Sequence, residues 1–112
     1  MAATLSTHVL DTARGTPAEG ILIGLFAVEG GDRRHIVTAT TNADGRTDAP
    51  LASELEPGTY ELLFAVADYF ARDGTASFFD AIPVRFHVTE SGGHYHVPLL
   101  LSPWAYSTYR GS

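Results

Sequence analysis

The chain opens on a period of two. In "LSTHVL" (5–10), Leu5, Thr7 and Val9 fall on one side of an extended strand, with Ser6, His8 and Leu10 on the other. "ILIGLFAVEGG" from Ile21 is continuously apolar until Gly30 and Gly31 close it. It is too short and too rich in Ile, Val and Phe for a helix, and reads as a buried strand. "RHIVTATT" (34–41) alternates again and runs into Asn42-Ala43-Asp44-Gly45, a strong turn sequence. A turn at Glu56-Pro57-Gly58 precedes the strand "TYELLFAV" (59–66), after which Asp68 is an N-cap candidate for one short helix stopping at Gly74. "IPVRFHVTE" from Ile82, a turn at Ser91-Gly92-Gly93, "HYHVPLLL" from His94, a turn at Ser102-Pro103-Trp104 and "AYSTYR" complete the pattern. Pro98 cannot donate to a ladder, so it marks an edge or a bulge. Seven or eight strands with a single helix predict an all-β antiparallel sandwich.

At 112 residues there is room for one domain, 1–112, with one modest core. An apolar share of 45% against 18% charged predicts a folded chain. The net charge of −6, with no basic cluster larger than Arg33-Arg34, argues against nucleic acid as a partner. All seven basic residues are Arg, so Schiff-base chemistry and a lysine base are excluded. The absence of cysteine removes disulfides, thiol nucleophiles and cysteine zinc sites. The first residues lack the basic and apolar regions of a secretory signal, and no run approaches the ~20 apolar residues of a membrane span. The expectation is a cytoplasmic protein with no membrane partner.

Candidate chemistry is sparse. His94 and His96 point the same way from a strand, a spacing that suits a metal, yet zinc needs further ligands and no neighbouring carboxylate or Cys offers one. A solvated or hydrogen-bonded strand histidine is the commoner reading, and the same holds for His35 and His87. His8 shares its face with Ser6 and Leu10, and Arg46 follows the Asp44-Gly45 turn. The ending Tyr109-Arg110-Gly111-Ser112 is odder. It follows directly on a strand and offers a guanidinium, a permissive glycine, a hydroxyl and a carboxylate, where termini normally fray.

Together, "STHVLDTARGTPAEGI", "TNADGR", "YELLFAVADYFARDG" and above all "HYHVPLLLSPWAYSTYRGS" resemble the 5-hydroxyisourate hydrolases, the transthyretin-related proteins of urate degradation. The resemblance runs from about Ser6 to Ser112, and Tyr-Arg-Gly-Ser is its specific part, separating these hydrolases from transthyretin, a hormone carrier on the same fold. Trp104 stands where Phe is usual. The resemblance implies a transthyretin-like sandwich of two four-stranded sheets with one short helix. It also implies hydrolytic opening of the six-membered ring of 5-hydroxyisourate to 2-oxo-4-hydroxy-4-carboxy-5-ureidoimidazoline, without metal or cofactor, by a homotetramer built as a dimer of dimers. It puts His8, Arg46, His96 and Ser112 in catalysis, and Arg46, Tyr109, Arg110, Gly111 and Ser112 on the substrate, leaving His94 outside the set. Which histidine is base and which is acid stays open. The alternative is a transthyretin-like carrier of a small ligand, which does not require His8, Arg46, His96 and the tetrapeptide together.

Overall fold

The computed structural model describes residues 3–89 and 92–112. In chain order the elements are β1 (Ala3–Asp11), β2 (Thr16–Pro17), β3 (Leu22–Glu29), β4 (Asp32–Thr40), β5 (Ala52–Leu55), β6 (Gly58–Phe64), α1 (Val66–Ala71), β7 (Ile82–Val88), β8 (His94–Leu101) and β9 (Tyr106–Thr108). One sheet has the order β4-β3-β6-β7 and is antiparallel throughout. The other runs β2-β1-β8-β9, with β5 also pairing β1. The predicted all-β sandwich is therefore present, with two differences in detail. The second sheet has five strands, and its central pair, β1 and β8, is parallel.

The core fills the space between the sheets. Leu5 and Val9 of β1 meet Ile23 and Leu25 of β3, Leu62 and Phe64 of β6, and Leu99 and Leu101 of β8. Alternation along β1 places residues as expected: Ala3, Leu5, Thr7, Val9 and Asp11 are buried, and the residues between them are half-buried. The apolar run of β3 is not buried on both faces. Ile23, Leu25 and Ala27 enter the core, while Leu22 is 50% exposed, because no layer covers that side of its sheet. Glu61 on the outer side of β6 is buried beneath Arg33 and Arg85, which both pair with it.

Two local expectations change. Asp68 is not the N-cap: Ala65 holds that position without a side-chain cap, and Asp68 lies in the first turn, where a carboxylate favours the positive helix end. Pro98 is at neither an edge nor a bulge. β8 lies between β1 and β9, and Pro98 occupies a gap in the β8–β9 ladder between the Leu99–Thr108 pair and the isolated His96–Gly111 bridge. Thr108 Oγ1 donates to the Pro98 carbonyl at 2.7 Å, so the gap is bridged by a side chain. The turn at 91–93 falls partly outside the described residues through Ser91, while Gly92 and Gly93 take φ of 79° and 82°.

Asp11, at the end of β1, ties the helix to the sheet. Its carboxylate accepts from Tyr69 Oη at 2.7 Å and from the backbone N–H groups of Ala13 and Arg14 at 3.1 and 3.0 Å. Burial first, then the hydrogen bond and charge of Asp11, push the Tyr69 hydroxyl up to about 12. A raised folded-state value means stability that is full below the ordinary value near 10 and is lost as pH rises toward 12. Tyr69→Phe is expected to cost about 1.5–3 kcal/mol at neutral pH, as for a hydrogen bond to a charged group, and to flatten the loss of stability above pH ~10. Urea titrations of both proteins at pH 7 and pH 11 test this.

Candidate active site

The parallel β1–β8 pair sets Thr4 opposite His94, Ser6 opposite His96 and His8 opposite Pro98. Matched pleats carry the outward residues of both strands to one face. The two imidazoles of β8 thus share a face, as the period of two predicts, with ring centroids 6.3 Å apart and planes 16° from parallel. Ser6 stands between them. Its Oγ is 2.9 Å from His94 Nε2 and 2.8 Å from His96 Nδ1, and Thr4 Oγ1 lies 2.7 Å from His94 Nδ1.

The edge of β1 explains how Arg46 joins this face. β5 pairs the first part of β1 and β2 its last part. Between them the 42–50 loop docks, with Val9 N–H donating to the Gly45 carbonyl at 2.8 Å and Leu51 N–H to the Leu5 carbonyl at 2.9 Å. Asn42 shapes the loop by accepting from the N–H groups of Asp44 and Arg46 at 2.9 and 3.2 Å. Gly45 has φ of +76°, a conformation glycine adopts freely. The loop then offers the Asp44 carbonyl to His8 Nε2 at 2.8 Å. A carbonyl only accepts, so Nε2 carries the proton and Nδ1 of His8 is the nitrogen left for other chemistry. Arg46 lines a shallow hollow with Ser6, Thr47 and Pro50. It has no carboxylate partner among the described residues.

Burial first, then the positive fields of Arg46, His94 and His8, hold the His96 imidazole below its ordinary value. His96 therefore stays neutral further into the acid range than a free imidazole. Its Nδ1 is engaged by Ser6, which leaves Nε2 for other contacts. Among the described residues no group of three His, Asp or Glu side chains has metal-binding geometry.

The tail is ordered against this face rather than frayed. Gly111 N–H donates to the His96 carbonyl at 2.7 Å in a one-residue antiparallel bridge. A Cβ on Gly111 would lie 2.6 Å from His96 Cδ2, so only glycine passes the ring this closely. Gly111→Ala is expected to push the imidazole aside and lower turnover about 10- to 100-fold, since misplacement by an ångström has costs of that order. An unchanged melting temperature alongside the loss would localise the effect to the ring.

The other tail residues diverge. Arg110 stacks 4.3 Å from the centre of the Tyr95 ring and, with Tyr109, lines a cleft whose far side is Val84, Arg85, Phe86 and His87. Ser112 is exposed. The structure thus brings His8, Arg46, His96 and Gly111 together and draws Arg110 to the Tyr95 side of the sheet. Sequence reasoning assigned no role to Ser6, Thr4, His94 or the Asp44 carbonyl. The period of two did put Ser6 on the face of His8, but the parallel neighbour that makes it a partner of His96 has no local signature.

Known proteins resemble this chain in sequence and in fold. A 5-hydroxyisourate hydrolase of Deinococcus radiodurans is 55% identical over 96% of this chain and 95% of its own. The structure of Klebsiella pneumoniae 5-hydroxyisourate hydrolase superposes with a TM-score of 0.82 at 40% identity, covering 98% of this chain and 94% of that one. Transthyretin from Sparus aurata gives 0.90 at 30% identity, covering 96% of each. The HIUase/Transthyretin family model matches residues 5–111, and the chain belongs to that family.

Proposed function

We propose that this chain is a 5-hydroxyisourate hydrolase in which His96 Nε2 is the general base. The convergence of His8, Arg46 and His96 on one face of the β1–β8 pair carries this reading. Water attacks a ring carbonyl as Nε2 takes its proton, and the Arg46 guanidinium stabilises the developing oxyanion. The protonated Nε2 then gives its proton to the departing ring nitrogen as the C–N bond breaks. His8, its tautomer fixed by Asp44, turns Nδ1 to water or substrate. Ser112 adds its hydroxyl from the tail, held there by Gly111, while Arg110 anchors the tail through Tyr95. No metal or cofactor enters this scheme.

In the same proposal, residues 1–112 form one catalytic domain, working in the cytoplasm as a homotetramer. The free edges of β7 and β9 support edge-to-edge pairing. A fully active monomer in sedimentation would sink the tetramer. Among the described residues no helix is long and apolar enough to cross a membrane. Fractionation of cells producing the tagged protein tests the compartment.

The direct assay generates 5-hydroxyisourate from urate with urate oxidase and follows its ultraviolet decay with and without the chelator-treated protein. Marked acceleration is expected. No acceleration by a folded tetramer would favour a small-ligand carrier, the alternative for which the likeness to transthyretin speaks.

The pH dependence has a definite sign. Because His96 is held below ~6.5, the acid limb of kcat/KM falls below that value. Arg46→Gln removes one of the fields that lowers it. The His96 titration, followed by NMR in the free protein, is expected to move to higher pH.

A further inference from the structure

The hydrogen bonds around Ser6 form an unbroken line: Thr4 Oγ1 to His94 Nδ1 at 2.7 Å, His94 Nε2 to Ser6 Oγ at 2.9 Å, and Ser6 Oγ to His96 Nδ1 at 2.8 Å. Its inner end is half-buried His96, and it reaches solvent at Thr4 and exposed His94. Each imidazole has one proton to donate and one lone pair to accept, and a hydroxyl does both, so the line has two consistent directions. In one, His96 Nδ1–H donates to Ser6, Ser6 donates to His94 Nε2, and His96 Nε2 is a bare acceptor. In the other every donor is reversed, and His96 Nε2 carries the proton. The proposed base and acid forms of His96 are therefore the two states of one line.

We infer that Ser6 and His94 are a proton relay joining His96 to solvent. The inference rests on the hydrolase reading, in which His96 must take up a proton and give one back in each turnover. One C–O bond forms and one C–N bond breaks. One water proton ends on the ureido nitrogen, and the other leaves when the new carboxylic acid ionises near neutral pH. When Nε2 takes the proton of the attacking water, the Nδ1 proton moves to Ser6, Ser6 passes its own to His94 Nε2, and the His94 Nδ1 proton leaves to water by way of Thr4 Oγ1. When Nε2–H protonates the departing nitrogen, the line runs back and restores Nδ1–H, so His96 ends as it began, and the carboxylic acid proton passes to water as the product ionises. No oxidant, metal or further reactant is involved. Ser6 and His94 act through His96, so they are positioning and relay residues.

The test compares wild type, Ser6→Ala and His94→Gln in dilute buffer, with urate oxidase generating the substrate. Each variant is expected to lose about tenfold or more in kcat with KM little changed, as for a lost proton-transfer step. The double variant should lose no more than the worse single one, because a line broken once is broken. Adding imidazole buffer should restore much of the kcat of both single variants and leave wild type unchanged. His94 is exposed, so His94→Gln leaves the core untouched and stands in if Ser6→Ala fails to fold. Wild-type kcat in either folded variant at low buffer overturns the relay. So does a loss that imidazole does not relieve, which would make Ser6 only a clamp on the His96 ring. An inactive wild type overturns the hydrolase reading instead. In that case, NMR of the ring nitrogens still decides whether Ser6→Ala shifts the His96 tautomer, as the line requires.

Discussion

His96→Asn is expected to lower kcat by about 10²–10⁴-fold, the range that general acid–base catalysis contributes, while leaving the fold intact. Asparagine keeps a polar group near Ser6 and fits between β1 and the tail, but it has no nitrogen that can take a proton from water. Burial and the fields of Arg46, His94 and His8 all favour the neutral imidazole, and the substitution removes the base proposed above. His8→Asn is the informative companion. His8 Nε2 is already committed to the Asp44 carbonyl, so its loss is expected to be smaller and to appear partly in KM. Ultraviolet assays on both variants, with circular dichroism as the fold control, give the comparison. A loss under tenfold at His96 with a larger one at His8 would move the base to His8 Nδ1.

Gly45→Ala is expected to damage stability and activity together. The new Cβ would sit 2.3 Å from the Val9 carbonyl oxygen, 3.2 Å from Pro17 Cβ and 3.3 Å from His8 Cδ2, at a φ of +76°. The first obstacle is backbone of a central strand, so the loop must leave. Left-handed strain of about 1–2 kcal/mol and a stranded Val9 N–H worth about 1–3 kcal/mol together approach half of a small domain's margin. The same movement strips His8 of its Asp44 acceptor and withdraws Arg46. Activity is therefore expected to fall at least ~100-fold even at temperatures where the protein is folded. Thermal melting and the assay at 15 °C separate the two effects. A melting temperature equal to wild type would mean that the loop docks without its glycine.

The legible parts of this molecule are those governed by neighbours in sequence. Alternation in β1 placed Thr7 inside and Ser6 and His8 outside, and the spacing of His94 and His96 put both rings on one face. Asn42 to Gly45 announced the turn that carries Arg46. Strand pairing is another matter. That β1 lies parallel to β8, making Ser6 the partner of His96, depends on which strands share a sheet, and no local pattern encodes it. Burial was overread in β3, where a continuous apolar run leaves Leu22 in solvent. The tail shows the same limit. Its order and its glycine fit the suspicion that it is more than a frayed end, but the Tyr95 ring that draws Arg110 to the other side is a tertiary contact.

The parallel β1–β8 pair also has a consequence for synthesis and folding. Ser6 and His96 are separated by 90 positions, as far apart as almost any two groups in the chain. The Ser6–His96 contact therefore forms only once β8 has paired with β1, a long-range closure of the kind that slows folding. During translation β1 emerges well before β8 and waits for it with one ladder edge unpaired, the state in which strands mispair with other chains. Recovery of activity after dilution from denaturant thus reports that the two ends of the chain have found each other.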